Sequence, residues 1–452
     1  MRVLLVLLFA PLTAFAQVVT IAPDGSGDFT TDGRSDQIEI NQALDLVATT
    51  PALTTVYLKG PNTYWIDSTI YISSNTTLTG DETAVIKLID RARWRTKFKP
   101  MIGQKGISFT NGLGDPDTIT ENISIHGFEI DGNRRNQREP SGHSYYNMIL
   151  LQNTRNISIH DMYLHDNLAD ILQTGYDLPG FEINLEYYNN RVHGSGHDGI
   201  YVENAVGISI HDNIFTDSRT DAHIRLQNCN RIRIFNNIAG NNPDRQYAGG
   251  IGVSMQSHGN TPLDDAEIYN NYFFGKGYFS GIWLWLRSPE QSVHENVHIH
   301  DNIISWFKRD GIRIDGFNNT LIENNIIESS GDQDRGVGSG ITFIEKDSRP
   351  LGAGYQTLVR NNIILNNPAY GIDNREPEKH RFISEGNRIF GNLRGPYRNV
   401  QTHQDSYTPT ALSGTLEQVY YTIMHPTWRA AEAQNDYSGD LSTHAAWAKY
   451  HP

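Results

Sequence analysis

The chain has 452 residues, with 51 acidic against 37 basic side chains and a formal net charge of −14 at pH 7. That balance argues against a nucleic-acid partner, whose binders carry a basic face, yet leaves room for a polyanionic ligand held by a local arginine cluster. The single cysteine, Cys229, excludes an internal disulfide framework, so stability must come from packing.

Residues 1–16 place Arg2 ahead of an apolar run to Leu12, then Ala14, Phe15 and Ala16 before Gln17. This is the pattern of a cleavable secretory signal, too short for a stable membrane span. It predicts a soluble protein outside the cytoplasm, extracellular or at the cell surface. Ser35 is the expected N-cap of a helix from Asp36 to about Ala48, with Ile38, Ile40, Ala43, Leu44 and Val47 on its apolar side. Residues 17–54 then read as a cap over the open end of whatever strand assembly follows. Strands are expected at Thr55–Leu58, Tyr64–Ile66, Thr69–Ile72, Thr76–Leu78 and Ala84–Leu88.

From Ile123 onward one unit repeats: a short alternating strand, an Asp/Asn turn, a second apolar position and another turn. The turn pairs are Asn189–Asn190, Asp212–Asn213, Asn236–Asn237, Asn270–Asn271, Asp301–Asn302, Asn324–Asn325 and Asn361–Asn362. Strand-and-turn repeats of this length define a right-handed, single-stranded parallel β-helix, all-β, over residues 55–405. Asparagine in such columns accepts left-handed backbone and forms amide ladders, a structural role. His160, His165, His193 and His211 fall in turn positions and read the same way. Insertions at 131–147, 239–249, 255–265, 287–294 and 345–355 are expected to wall one face. Residues 406–452 lose the repeat and read as a C-terminal cap or tail.

Aligning the second strand of each coil on Ile171, Ile200, Ile224, Ile251, Ile282, Ile312, Ile341 and Ile372 as inward predicts two outward rows. The first holds Leu172, Tyr201, Arg225, Gly252, Trp283, Arg313, Thr342 and Asp373. The second holds Thr174, Glu203, Gln227, Ser254, Trp285 and Asp315. Small residues between Arg225 and Trp283, Trp285 and Arg287 suggest a polysaccharide floor, with arginine forks matched to carboxylates. Ordinary packing of the tryptophans and simple ion pairs of Arg225 and Arg313 with Glu203 and Asp315 are the competing readings.

At the mouth of that strand Asp170, Asp198 and Asp221 fall on three successive coils, beside His197 and His223. Stacked carboxylates repel, so at least one should have a raised pKa, as a general acid beside a base or nucleophile requires. Turn capping is the alternative, as at Asp310-Gly311, and a Ca²⁺ site is a third. No cofactor is otherwise expected.

Gly25-Ser-Gly-Asp-Phe29, Asp32-Gly33, the run Asp36 to Leu44, Thr54 to Tyr64, Val85-Ile-Lys-Leu88, Pro100 to Gln104 and Gly196-His-Asp-Gly-Ile-Tyr201 together resemble the disaggregatase-related proteins of methanogenic archaea, over about residues 20–400. The resemblance implies an extracellular enzyme that breaks down methanochondroitin, a polysaccharide of uronate and N-acetylgalactosamine, and so disperses cell aggregates. It carries no catalytic residue onto this chain. A weaker similarity, through Val85 to Asp90 and Ile130 to Arg134, is to mannuronan C5-epimerases, whose Tyr-Gly-Phe-Asp-Pro-His type motif is replaced here by Leu168-Ala-Asp-Ile-Leu-Gln-Thr174. That departure argues against epimerisation.

The leading expectation is a glycoside hydrolase in which Asp198 and Asp221 are acid and base or nucleophile. Glu203 or Asp170 would tune them, His197 and His223 assist, Arg225 hold a uronate, and Trp283 and Trp285 stack sugars. A β-eliminating lyase, with Arg225 or Arg313 neutralising the uronate and His223 or Tyr201 as base, remains open. So does a non-enzymatic polysaccharide-binding surface protein.

Overall fold

The structure is a computed structural model that describes residues 17–94, 99–106, 119–139, 146–175, 180–241, 249–257, 264–275, 279–286, 295–316, 319–332, 335–344, 355–378, 380–400 and 403–408. Its strands form a 25-stranded and a 12-stranded sheet, and every paired strand is parallel to its neighbour. One turn of the coil uses three strands, for example Ala205–His211, Ile214–Thr216 and Ala222–Gln227. Each pairs with its equivalent one coil on, at Asn230–Phe235, Ile238–Gly240 and Ile251–Ser257. The chain is a parallel β-helix.

Period-two alternation decides what enters the bore. In Ala84–Leu88 every second side chain is buried, and Ile208 and Ile210 do the same in their strand. Such positions stack coil upon coil into one continuous apolar core. The signal region and most of the residues in the expected wall insertions lie outside the described residues, as does the chain after Thr408.

The turn pairs divide their labour. The first residue adopts left-handed backbone, with φ between 53° and 56° at Asn189, Asp212, Asn236, Asn270, Asp301, Asn324 and Asn361. The second builds a ladder: its backbone N–H and Nδ2–H both donate to the Oδ1 of its counterpart one coil on. Asn190 donates to Asn213 at 2.9 and 3.1 Å, and Asn271 to Asn302 at 3.0 and 3.0 Å. The ladder continues through Asn387, where Gly386 (φ 67°) takes the left-handed place, and ends on Asp405. Beside it, His126, His160, Tyr188, His211, Phe235, Tyr269 and His300 stack ring on ring at 4.5–5.2 Å.

The helix runs Gln37–Thr49 and packs Ile40, Ala43, Leu44 and Val47 against the first strands. Asp36, not Ser35, is its N-cap, and Asp36 binds the N–H of Gly33 and of Trp65 instead of the helix. Ser35 donates to Asp67, and Ile38 is half exposed.

The outward rows follow a register that differs from expectation at two coils. Leu172, not Ile171, aligns with Ile200, so Leu172 points into the core. Val253, not Ile251, aligns with Ile224, and Ile251 lies outside, packed with Ala222 and Trp283. The first row therefore reads Gln173, Tyr201, Arg225, Ser254, Trp283, Arg313, Thr342 and Asp373, and the second Gly175, Glu203, Gln227, Gln256 and Trp285. Gly252 and Thr174 leave them. At Val253 the cause is a glycine column immediately before the inward residue, Gly252, Gly281, Gly311, Gly340 and Gly371, where the coils touch. A Cβ at Gly311 would collide with Ile327 and sit 2.7 Å from the Gly340 carbonyl.

Candidate active site

Counting back from the pairs Leu172–Ile200 and Ile200–Ile224 puts Asp170, Asp198 and Ala222 in one column. Each aspartate uses Oδ1 as a bracket: Asp170 accepts the N–H of Asp198, and Asp198 that of Ala222, both at 2.9 Å. Asp310 repeats the device with Ser339 at 3.0 Å. Turn chemistry accounts for one oxygen of each.

The second oxygen of Asp198 and the same Oδ1 of Asp170 both meet His197. Asp198 Oδ2 lies 3.0 Å from His197 Nδ1 and 3.3 Å from Arg225 Nη1, while His197 Nδ1 also meets Asp170 Oδ1 at 2.8 Å. Asp221 stands one residue ahead of the column, level with His197. Its Oδ2 is 3.3 Å from Arg225 Nη1 and 3.6 Å from His197 Nε2. Exposure separates the three carboxyls: the side chains of Asp170 and Asp198 are fully buried, and that of Asp221 is 25 % exposed.

These contacts set the charges. Burial, then the neighbouring Asp198 carboxylate, pushes Asp221 up to about 6, although Arg225 and His197 pull the other way. Burial works against a charged His197, but Asp198 and Asp170 overcome it and lift its pKa to about 11. Burial likewise opposes the Arg225 cation, and Asp198 and Asp221 more than restore it. Arg225 also lies over the Tyr201 ring at 4.6 Å, and Tyr201 donates to Glu203 Oε2 at 2.8 Å. Burial and Glu203 hold the Tyr201 phenol protonated.

Asp170, His197, Asp198, Asp221, Arg225, Tyr201 and Glu203 are thus brought into one network. His223 is not. It occupies the glycine column, faces inward near Phe215, and burial drives its pKa down to about 3. Trp283 and Trp285 stack at 4.4 Å, which covers one face of Trp283 and leaves it 6 % exposed; Trp285 is only half buried. Arg313 lies 5.4 Å over Trp283 and pairs with Asp310 at 3.3 Å, and Asp315 is buried. Arg287 lies outside the described residues. Gln173, Gly175 and Gln256 join the outward rows unanticipated and Ser254 moves from the second row to the first; the glycine column is the signal for the shift at Ser254 and Gln256.

Asp170, His197 and Asp198 offer ligand atoms within 4.8 Å of one another. Two carboxylates and an imidazole fall short of the six to eight oxygens that Ca²⁺ prefers, and a metal there would have to displace the proton that ties His197 to both aspartates.

The fold and this network define a parallel β-helix with an acidic cluster on its outer strand face. The disaggregatase-related family matches residues 263–437, so the likeness to that family stands over this stretch, which lies after the motifs that suggested it, and the family described as periplasmic copper-binding protein (NosD) matches residues 72–278. No curated protein matches the chain. Among solved structures, the A-module of an Azotobacter vinelandii mannuronan C-5 epimerase is similar over 84% of this chain and 96% of its own, with 18% identity and a TM-score of 0.63. The catalytic unit of a GH87 α-1,3-glucanase from Streptomyces thermodiastaticus strain HF3-3 is similar over 86% and 70%, with 14% identity and a TM-score of 0.52. At these identities the likeness is one of fold.

Proposed function

We propose that the protein is an exported polysaccharide depolymerase that hydrolyses glycosidic bonds in an acidic polysaccharide, with Asp221 as general acid. The observation that carries this is the contrast within one cluster. Asp221 alone of the three aspartates reaches solvent, and its pKa is raised to about 6, where a carboxyl can still give up a proton to a leaving oxygen. Asp198 and Asp170 have no exposed surface, so they act on Asp221 and His197 rather than on a sugar. The second catalytic carboxylate is then Glu203, half buried in the outward row beside Tyr201, positioned to activate water or attack the sugar. This revises the expected pairing of Asp198 with Asp221.

The name of the disaggregatase-related family and the two polysaccharide-active proteins with this fold support the substrate class. A uronate–N-acetylhexosamine polymer such as methanochondroitin is the particular substrate we infer from the sequence resemblance. β-Elimination fits less well because it needs a base near neutrality. His223 is buried with a pKa near 3, His197 holds its proton, and Tyr201 is pushed up.

The test follows reducing ends and near-ultraviolet absorbance together on uronate–hexosamine polysaccharides. Hydrolysis releases reducing ends without absorbance, and Asp221→Asn loses them. Absorbance rising with reducing ends would make the enzyme a lyase. Polysaccharide binding without any product would make it an adhesin.

A further inference from the structure

On another face of the coil, the strand Glu295–His300 carries two histidines at alternate positions, so both point outward. Strand register sets Glu267 beside His298 one coil back, and Glu323 beside His300 one coil on. We propose that Glu267, His298 and His300 form a binding site for a divalent transition-metal ion such as Zn²⁺, clamping two adjacent coils.

One ligand atom from each of the three residues lies within 4.8 Å of the others. His300 Nε2 is 3.2 Å from Glu267 Oε1. Two ligands on a tetrahedral zinc, with bonds of about 2.0–2.1 Å, stand about 3.3 Å apart, so an ion fits where the proton of that contact now sits. The other nitrogen, His300 Nδ1, contacts Asp301 Oδ2 at 2.7 Å. A carboxylate there fixes the tautomer that presents Nε2 to a metal.

Comparison with sister turns isolates what is special. His160, His165 and His211 make the same contact to the following aspartate, so that contact alone is part of the turn. Only the His300 coil adds a second histidine two residues earlier, its ring 4.0 Å from the first. In the acidic cluster at Asp131, His165 and Asp166, Lys87 and Arg134 already supply the cations, at 2.7 and 3.0 Å. Glu267 has His300 as its ion-pair partner among the described residues, while Glu323 on the far side holds both Arg360 Nε at 2.6 Å and His298 Nε2 at 2.9 Å, so a metal takes His298 through Nδ1 or displaces that bond to Glu323. The three ligand side chains are 16–40 % exposed, so an ion can enter. Glu267 and His298 also line a surface depression with Arg233 and Ser209. Two imidazoles and a carboxylate suit zinc or copper rather than magnesium or calcium.

The metal-stripped full chain would be titrated with ZnCl₂ and with CuCl₂ by calorimetry, with melting temperature followed in parallel. One equivalent should bind, with a rise in melting temperature. His298→Ala, His300→Ala and Glu267→Gln should each weaken binding tenfold or more, and His211→Ala should not. Circular dichroism of the metal-free variants checks that each folds. No binding, or binding that survives His298→Ala and Glu267→Gln with those variants folded, overturns the site.

Discussion

Asp198 and Asp221 share a single guanidinium nitrogen: Arg225 Nη1 lies 3.3 Å from an oxygen of each. One cation between two carboxylates cannot fully neutralise both, and the buried member of the pair keeps its contacts with His197 and Ala222 as well. Burial of the Asp221 carboxyl, and then the unneutralised charge of Asp198, appear on Asp221 as a raised proton affinity. If Asp221 is the acid, Asp221→Asn should lower kcat about 10²- to 10⁴-fold while leaving KM nearly unchanged. Glu203→Gln should do the same, and Asp198→Asn should instead move the pH profile. Steady-state kinetics on one polysaccharide preparation separates the three.

The pH dependence of activity and that of stability should share one midpoint. A general acid must be protonated, so the rate should fall as pH rises through about 6. The folded chain holds this proton more tightly than the unfolded chain, whose carboxyl titrates near 3.8. The associated stability is full below about pH 4 and is lost as pH climbs through 6. Asp221→Asn should accordingly melt higher than the parent at pH 8, with the gap closing toward pH 4. A gap of about 1–3 kcal/mol is expected from a shift of this size. A variant less stable at pH 8 than the parent would contradict the assignment.

How much of this was readable beforehand depends on whether a residue answers to its own coil or to the next one. The turn pairs were legible because left-handed backbone and ladder bonding both select asparagine. The ladder's last rung was missed because Gly386 does the work of the first residue of the pair, and glycine ahead of Asn387 carries no such pattern. Aspartates on successive coils were visible as a run, but which of them sees solvent was not, since burial at Asp170 and Asp198 is set by neighbouring coils. The register slip at Ile251 arose because isoleucine fits either face of a strand when tryptophans cover the outer one. His223 was drawn into the site by its nearness in sequence to Asp221 and because strict alternation puts it on the face of Arg225, yet at this strand end its buried ring sits near Phe215 instead.

The asparagine ladder predicts a stability loss that does not depend on function. Asn271 donates from its backbone and side chain to Asn302 and also binds the carbonyls of Ile234 and Tyr269, all while fully buried. Asn271→Ala leaves carbonyls of two coils without their donor. It should cost about 2–4 kcal/mol in urea unfolding, since each buried group left unsatisfied costs about 1–3 kcal/mol. Asn122, in the exposed outer ladder with Asn75 and Asn156, should tolerate alanine far better.

His223 supplies the opposite pH signature from Asp221. Its imidazole is buried against the coil interior and its pKa falls from 6.5 to about 3, so the folded chain refuses a proton that the unfolded chain accepts. A group depressed in this way contributes stability above pH 6.5 and loses it as pH falls toward 3. The parent should thus destabilise on acidification across that window by a few kcal/mol beyond what its carboxylates explain. His223→Gln, similar in reach and without a titrating proton, should flatten this part of the profile while leaving kcat at neutral pH within about threefold of the parent. Urea unfolding at a series of pH values between 4 and 8 reads the first effect. An unchanged acid limb, or a collapse of kcat in the folded variant, would place His223 back among the groups that act on substrate.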